Sequence, residues 1–327
     1  MRTRKLGSLD VSVVGLGCNN FGGRVDEAGT QAVVDAAIEA GVTFFDTADI
    51  YGGKGGSETL LGKALVGRRD QVVLATKFGM DMGDGIERHG SRDYVRSALE
   101  ASLGRLQVDR VDLYQHHQED PGTPIEETFG ALKELVDEGL VGVVGTSNYE
   151  PANIERASAI AAGLGLPYVS EQSEYSWLAR GAEDELLPTC KRLEIGFIPY
   201  FPLASGLLTG KVSREHPPAE GTRLHGRELE DARLDRVEEL RTWADAHGVS
   251  LLDVAIGGLL AQPAVVSVIA GATKREQVRA NAQAGAWVPS ADELAELVAL
   301  SSLWPSFATT CLICVYSSIE YADMSLP

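Results

Sequence analysis

Short apolar runs recur along this chain at nearly even intervals, with amphipathic stretches between them. Val13-Val14-Gly15-Leu16-Gly17 reads as a strand, and Glu27 to Ala40 as a helix closed by Gly41. The pair then repeats. Val42 to Phe45 is followed by a helix over Ser57 to Val66 with Ser57 as its cap, and Gln71 to Thr76 by a helix over Ser91 to Leu106 with Ser91 as N-cap. Val111 to Gln115 precedes Ile125 to Asp137, which stops before Gly139, and Val141 to Thr146 precedes Pro151 to Ala162, with proline in the first turn. Tyr168 to Ser170 leads to Ala182 to Leu193, and Gly196 to Tyr200 leads to helices over Arg233 to His247 and Leu251 to Ala261. Val265 to Ile269 is the last strand and Arg275 to Ala286 the last helix.

Strands opening at Val13, Val42, Gln71, Val111, Val141, Tyr168, Gly196 and Val265 make eight, nearly all followed by a helix. Continuous apolar strands alternating with helices predict a parallel sheet covered on its faces. Eight such units close into a barrel, so the expected class is α/β, a single (β/α)8 TIM barrel. A doubly wound sheet is the runner-up; it usually brings a glycine fingerprint, and Gly15-Leu16-Gly17-Cys18-Asn19-Asn20 lacks the third glycine. Thr3 to Val14 adds an N-terminal hairpin around Gly7-Ser8-Leu9-Asp10. Thr209 to Glu230, after the seventh strand, is polar and rich in Pro and Gly, and is long for a plain connection; such loops serve as lids or binding loops. The expected division is a barrel over residues 1–301 and a tail over 302–327, read either as a pocket lid or as a poorly ordered extension.

Composition narrows the setting. The 327 residues are 44% hydrophobic and 23% charged, ordinary for a soluble globular protein. No apolar run approaches the ~20 residues that span a bilayer. The basic start, Met1-Arg2-Thr3-Arg4-Lys5-Leu6, has no apolar signal core after it, so a cytoplasmic protein is expected. Cys18, Cys190, Cys311 and Cys314 are too few and scattered for a disulfide framework, and the Cys311–Cys314 spacing has neither a second pair nor a nearby histidine, so no metal site is expected. A formal charge of -18 works against binding nucleic acid or anionic membranes, yet leaves room for a phosphorylated cofactor held by local amides and cations. Gly53-Lys54-Gly55-Gly56-Ser57 misses the phosphate-loop pattern.

Active sites of such barrels form at the C-terminal ends of the strands. There the second strand offers Asp46 and, just beyond, Tyr51; the third ends in Lys77; the fourth ends in His116 and His117. The fifth ends in Gly145-Thr146-Ser147-Asn148 and the sixth in Glu171-Gln172. Each residue alone has a structural reading, as a loop tie or a packing aromatic. Together an acid, a phenol, an amine and an imidazole form a proton-transfer set. A phenol has a reference pKa of about 10 and is a reluctant acid near neutrality. An adjacent ammonium such as Lys77 favours the phenolate, Asp46 would pair with Lys77, and a histidine would donate to a developing oxyanion. Strand alternation puts Leu113, Gln115 and His117 on one face and Tyr114 and His116 on the other, which favours His117.

From about residue 3 to residue 300 the chain resembles an aldo-keto reductase. The motifs are Phe45-Asp46-Thr47-Ala48 with Tyr51-Gly52, Thr76-Lys77-Phe78-Gly79, Asp112-Leu113-Tyr114-Gln115 leading to His117, Gly145-Thr146-Ser147-Asn148, Pro202-Leu203 with Gly206-Leu207-Leu208-Thr209-Gly210-Lys211, and Ile269-Ala270-Gly271-Ala272-Thr273. The resemblance implies a catalytic tetrad of Asp46, Tyr51, Lys77 and His117, with Tyr51 as general acid and a nicotinamide as hydride donor to an aldehyde or ketone. It further implies that Ser147, Asn148 and Gln172 hold the carboxamide and that Tyr200 stacks under the ring. Backbone amides around Leu203, Ser205, Gly206 and Leu208, with Lys211, would take the pyrophosphate, and Gly17 and Asn19 would join the cofactor set. The last unit adds Gly271, Thr273, Lys274, Gln277 and Asn281 at a loop and helix N-terminus suited to phosphate. Lys274 and Arg275, cations in an acidic chain, favour NADP(H) over NAD(H), although family members often carry an arginine where this chain has Gln277.

Candidate pocket walls are Phe21, Phe78, Tyr149, Trp304 and Phe307, an aromatic set suited to a small carbonyl substrate bearing a sugar or aryl ring. Two rival functions stand beside the reductase: a redox-sensing binding subunit of the same fold, and an aldolase with Lys77 as a Schiff-base nucleophile. The second needs a neutral amine in an apolar pocket, which pairing with Asp46 opposes. Neither the natural substrate nor the oligomeric state follows from the residues.

Overall fold

The computed structural model describes residues 1–302. The chain opens on an antiparallel hairpin of β1 (Thr3–Leu6) and β2 (Leu9–Ser12), paired Thr3 to Ser12 and Leu6 to Leu9. Eight parallel strands follow: β3 (Val14–Gly17), β4 (Phe44–Asp46), β5 (Val73–Phe78), β6 (Val111–His116), β7 (Val141–Ser147), β8 (Tyr168–Glu174), β9 (Gly196–Tyr200) and β10 (Val268–Gly271). Their order in the sheet is β10-β3-β4-β5-β6-β7-β8-β9, so every neighbour in sequence is a neighbour in space. The seam closes where Phe197 N donates to Ala264 O at 2.7 Å and Val266 N to Phe197 O at 2.9 Å, just ahead of β10. This is the expected (β/α)8 barrel with its N-terminal hairpin.

Side-chain alternation splits the core in two. Phe44, Ala75, Leu113, Val143, Ile198 and Ile269 point inward, and Leu6 and Val11 of the hairpin join them as a plug. Phe45, Leu74, Tyr114 and Val144 point outward into the layer under the helices. Since successive residues of a strand face opposite ways, Asp46 shares the inward face with Phe44, and Lys77 with Ala75. The helices of that outer layer are α1 (Glu27–Glu39), α2 (Tyr51–Lys54), α3 (Gly56–Ala64), α4 (Arg92–Leu106), α5 (Ile125–Asp137), α6 (Pro151–Leu164), α7 (Leu186–Arg192), α8 (Asp231–Ala246), α9 (Leu251–Asp253), α10 (Arg275–Ala284) and α11 (Ala291–Ser302). Among the described residues no helix is long and apolar enough to cross a membrane.

Several elements depart from the sequence reading. Ser57 does not cap α3 but lies inside it, and its Oγ donates to Cys18 O at 2.8 Å while sharing a 2.8 Å bond with Thr47 Oγ1. Ser91 occupies the N-cap position of α4 without a side-chain capping bond. The stretch from Ala182 to Leu193 is a 3-10 turn over Gly181–Glu183 and then α7, because Pro188 lacks an N–H and is tolerated only in a first turn. After α9 the chain widens into a π turn over Val254–Gly258. There the Trp177 indole donates to Val254 O at 2.8 Å, and a Cβ on Gly258 would sit 2.9 Å from that ring. One helix more than the sequence predicts follows α10. α11 begins at a capping box in which Glu293 N donates to Ser290 Oγ at 3.2 Å and Ser290 N to Glu293 Oε2 at 2.6 Å. α11 runs through the expected division at residue 301 to Ser302, and the rest of the tail, with Trp304 and Phe307, lies outside the described residues.

Candidate active site

The inward face of the strands turns polar at the C-terminal mouth. Lys77 and Asp46 form a 2.5 Å ion pair whose side chains are 0% and 2% exposed, and Lys77 Nζ also donates to Thr47 O at 3.0 Å. Gln115 Nε2 and Gln172 Nε2 both donate to Asp46 Oδ1, at 3.1 and 3.0 Å. The anion is therefore met by one ammonium and two amides, which offsets the cost of burying it. Gln172, expected at the carboxamide, here faces Asp46, and Gln115 is a member of the site that the sequence reading left out. Its signal was its place on the same strand face as His117.

Tyr51 arrives on the loop after β4. Thr47 N donates to Ala75 O at 3.0 Å and Asp49 N to Lys77 O at 3.1 Å, extending the β4–β5 pairing until Tyr51 opens α2. Gly52 next to it has φ 66, and a Cβ there would lie 2.3 Å from Phe21 O, so this turn admits only glycine. The Tyr51 ring is half-buried, with Lys77 Nζ 5.2 Å from its centroid and the His117 ring edge-on at 5.7 Å and 84°.

The two histidines part company. His116 is buried on the outward side, stacked on Phe78 at 4.9 Å and 14°, with Nδ1 bonded to the Tyr149 hydroxyl at 2.8 Å. Burial holds its imidazole down to about 4. His117 follows the end of β6, its backbone N donating to Phe78 O at 2.8 Å, and its Nδ1 is enclosed without a partner. Burial, with Lys77 and His116 adding to it, keeps its pKa well below the ordinary imidazole value, so the ring stays neutral.

Behind this set lies a further carboxyl, not among the expected site residues. Asp49 is buried with Oδ1 unpartnered, and burial, reinforced by Glu58, pushes its carboxyl up to about 8. Glu58 is itself engaged, accepting from Thr76 Oγ1 at 2.5 Å and Arg105 Nε at 2.7 Å.

Around the mouth stand the remaining expected residues. Ser147 Oγ donates to Gln172 O at 2.7 Å; Asn148, at φ 60, donates through Nδ2 to His117 O at 3.0 Å and accepts the Tyr200 hydroxyl on Oδ1 at 2.8 Å. Tyr200 is half-buried. The turn after β9 is unusual in its backbone: Phe201, Ala204, Ser205 and Gly206 have φ of 52, 46, 58 and 113. Strained backbone of this kind gathers at functional sites. Within the turn, the amides of Gly206 and Leu208 are bonded to Leu203 O at 2.8 and 3.2 Å, so they are already spoken for. Lys211 is exposed.

On the other side, Gly17 pairs with Gly271 across β3 and β10, and Asn19 follows directly. Gln277 Oε1 accepts Thr273 N at 2.7 Å and Lys274 N at 3.1 Å, so its side chain builds the entry to α10. Lys274 is exposed and Asn281 buried. The long loop reaches across to this side: Arg24 donates to Gly221 O, Arg223 to Asn20 Oδ1 at 3.4 Å, and the Arg223 guanidinium lies 5.4 Å from the Phe201 ring.

Of the expected pocket walls, Phe21 and Phe78 are 0% exposed, Phe78 being sandwiched between Tyr114 and His116. Tyr149 is buried at 4% with its hydroxyl on His116, and Trp304 and Phe307 fall outside the described residues. The wall residues expected from sequence are thus buried wherever the structure describes them.

Comparison with known proteins agrees with this geometry. A sequence model of the Aldo/keto reductase family matches residues 13–302. Over 306 residues the chain is 36% identical to "Probable aldo-keto reductase 1" of Glycine max, covering 90% of this chain and 87% of that protein. It superposes on the aldo-keto reductase AKR11C1 from Bacillus halodurans, in its holo form, with a TM-score of 0.78 and 34% identity, covering 94% of this chain and 97% of the other. With barrel, strand-end ion pair and nearly full-length matches all in agreement, the chain belongs to the aldo/keto reductase family.

Proposed function

We propose that this protein reduces an aldehyde or ketone, or oxidises the corresponding alcohol, with NADP(H) as partner and Tyr51 as general acid. Membership of the family supports the coarser statement, an oxidoreductase of carbonyl groups that uses a nicotinamide cofactor. The observation that carries the finer one is the buried Lys77–Asp46 pair beside the Tyr51 ring, with neutral His117 on the ring's other contact.

The donor chemistry of the residues fits the cofactor. Ser147, Asn148 and Gln172 bring a hydroxyl and two carboxamides, Tyr200 a half-buried ring, and Lys211 and Lys274 exposed cations. When bound, the reduced nicotinamide supplies the hydride. Tyr51 gives its phenolic proton to the carbonyl oxygen, and the Lys77 ammonium stabilises the phenolate left behind. Asp46, anchored by Gln115 and Gln172, fixes the direction of Lys77. His117, with Nδ1 enclosed, carries its proton on Nε2 and donates to the oxygen as charge builds on it. Lys274 is the cation for a 2'-phosphate, since Gln277 is occupied with the α10 entry. A Schiff-base role for Lys77 is disfavoured by its bonds to Asp46 and to Thr47 O.

Quenching of tryptophan fluorescence by NADPH, followed by oxidation of NADPH on adding a simple aldehyde, tests this reading. Quenching without turnover returns the protein to the redox-sensing alternative. No quenching, with a borohydride-trapped adduct on Lys77, overturns it in favour of the aldolase.

A further inference from the structure

Glu171 takes no part in the steps above, yet it is fully buried. It sits on the outward face of β8, opposite in sense to Gln172, in the layer that apolar side chains fill. Among the described residues no cation pairs with it. Its oxygens are instead met by uncharged donors: Thr146 Oγ1 on Oε2 at 2.5 Å, and Ser173 Oγ at 2.7 Å and Tyr149 N at 3.2 Å on Oε1. Tyr168 shares a 2.6 Å bond with the Thr146 hydroxyl, extending the chain. An unpaired carboxylate in such a layer is costly, and the fold carries it directly behind the turn after β7.

That turn ties together the nicotinamide side of the mouth. Asn148 stands at φ 60, a conformation that costs energy for a residue other than glycine. Its side chain reaches His117 O and the Tyr200 hydroxyl, Ser147 reaches Gln172 O, and the Tyr149 hydroxyl reaches His116. Behind the barrel wall the turn's Tyr149 N donates to Glu171 Oε1 at 3.2 Å, and the Asn148 peptide group also bears on this carboxyl.

We propose that Glu171 is a positioning residue, which by accepting the Tyr149 peptide N–H fixes the Ser147–Asn148–Tyr149 turn for binding the nicotinamide end of the cofactor. This rests on the cofactor reading above. Burial pushes the Glu171 carboxyl up to about 7, against the pull of the Thr146 and Ser173 hydroxyls and the Tyr149 and Asn148 peptide groups. The titratable groups facing it are Tyr149 on the turn, Tyr168 on β8 and Cys190 on α7, all pushed up by burial and so neutral near pH 7. When Glu171 takes a proton the two hydroxyls rotate to suit, but the Tyr149 N–H is a fixed donor and loses a charged acceptor. Nicotinamide binding therefore weakens as pH falls through neutrality.

The test compares NADPH with 2'-phospho-ADP-ribose, which carries the same phosphates and lacks only the nicotinamide. Affinities of the full chain are measured from pH 6 to 8.5 for wild type, Glu171→Gln and Ser173→Ala, with thermal melts to check folding. The expected result is that Glu171→Gln weakens NADPH about fivefold at pH 8, the loss of one charge-assisted hydrogen bond, and flattens its pH dependence. The fragment's affinity stays at the wild-type value. Ser173→Ala, which removes a donor to the charged form, moves the midpoint of the NADPH profile to higher pH, and decides the matter if Glu171→Gln does not fold. Wild-type affinity and profile in both variants, or equal losses for both ligands, overturns the proposal alone. Wild-type protein that binds neither ligand overturns the cofactor reading and this proposal with it.

Discussion

Gln172 Nε2 lies 3.0 Å from Asp46 Oδ1, a bond between residues 126 positions apart that crosses the barrel mouth. Gln115 Nε2 reaches the same oxygen at 3.1 Å, and the other oxygen holds Lys77. Asp46 is thus the hub of three strands. The orientation of Lys77, and through it the environment of Tyr51, therefore depends on side chains from β4, β6 and β8.

Replacing that hub has a defined cost. Asp46→Asn keeps the shape and one acceptor for the two amides but leaves a buried ammonium without its counter-ion. Breaking one side of a buried pair costs about 3–5 kcal/mol. Denaturant unfolding should register a loss of that order, and a double variant with Lys77→Met should recover part of it. Asp46→Asn with wild-type stability means that the pair contributes little to the fold.

Tyr51→Phe should abolish carbonyl reduction while leaving NADPH affinity nearly unchanged, because the ring still fills its place. A general acid is worth about 10²–10⁴-fold in rate. Wild-type turnover in this variant removes Tyr51 from the role of acid.

The histidines should separate by assay. His117→Ala is expected to lower kcat by about 10²-fold or more, the scale of a lost oxyanion donor. His116→Ala should act on stability, since it empties a stack on Phe78 and unpairs the Tyr149 hydroxyl. Since burial keeps both rings neutral, wild-type turnover should show no imidazole inflection between pH 6 and 8. Swapped phenotypes would assign the role to His116.

Asp49 bears on stability against pH. Its folded pKa, raised to about 8 by burial and then by Glu58, stands above the unfolded value of about 3.9. Between these values the unfolded chain has released the proton and the folded protein retains it, so stability falls as pH rises through this window and levels off above pH 8. Asp49→Asn removes that term. The variant should match wild type near pH 4, gain on it steadily up to about pH 8 and hold that lead above it in thermal melts. A difference that does not vary with pH contradicts the assignment.

Lys274→Ala should weaken NADPH more than NADH, by about 1–3 kcal/mol for one charge-assisted contact to a 2'-phosphate. Gln277→Arg offers the reverse experiment, although it also dismantles the α10 entry that Gln277 holds. Equal losses for both nucleotides would remove Lys274 from the phosphate site.

What the sequence determined by itself was the barrel and the faces of its strands. Eight apolar runs between amphipathic stretches allow little besides a covered parallel sheet, and a period of two puts Leu113, Gln115 and His117 on one side whatever the tertiary contacts are. Caps and helix edges were less legible. Ser57 looks like a cap and is instead tied to Cys18 and Thr47, while α7 waits for Pro188 and the π turn for Trp177. Only the tertiary structure decided where the polar ends go. Nothing local to Gln172 says that its amide turns to Asp46, nothing local to Phe78 says that two rings enclose it, and Glu171 carries no sign that its acceptor serves Tyr149. The physical reason is that alternation is a property of the backbone and acts within a strand. A buried polar group, by contrast, takes whichever partner the closed barrel brings within about 3 Å, and that partner can come from any strand.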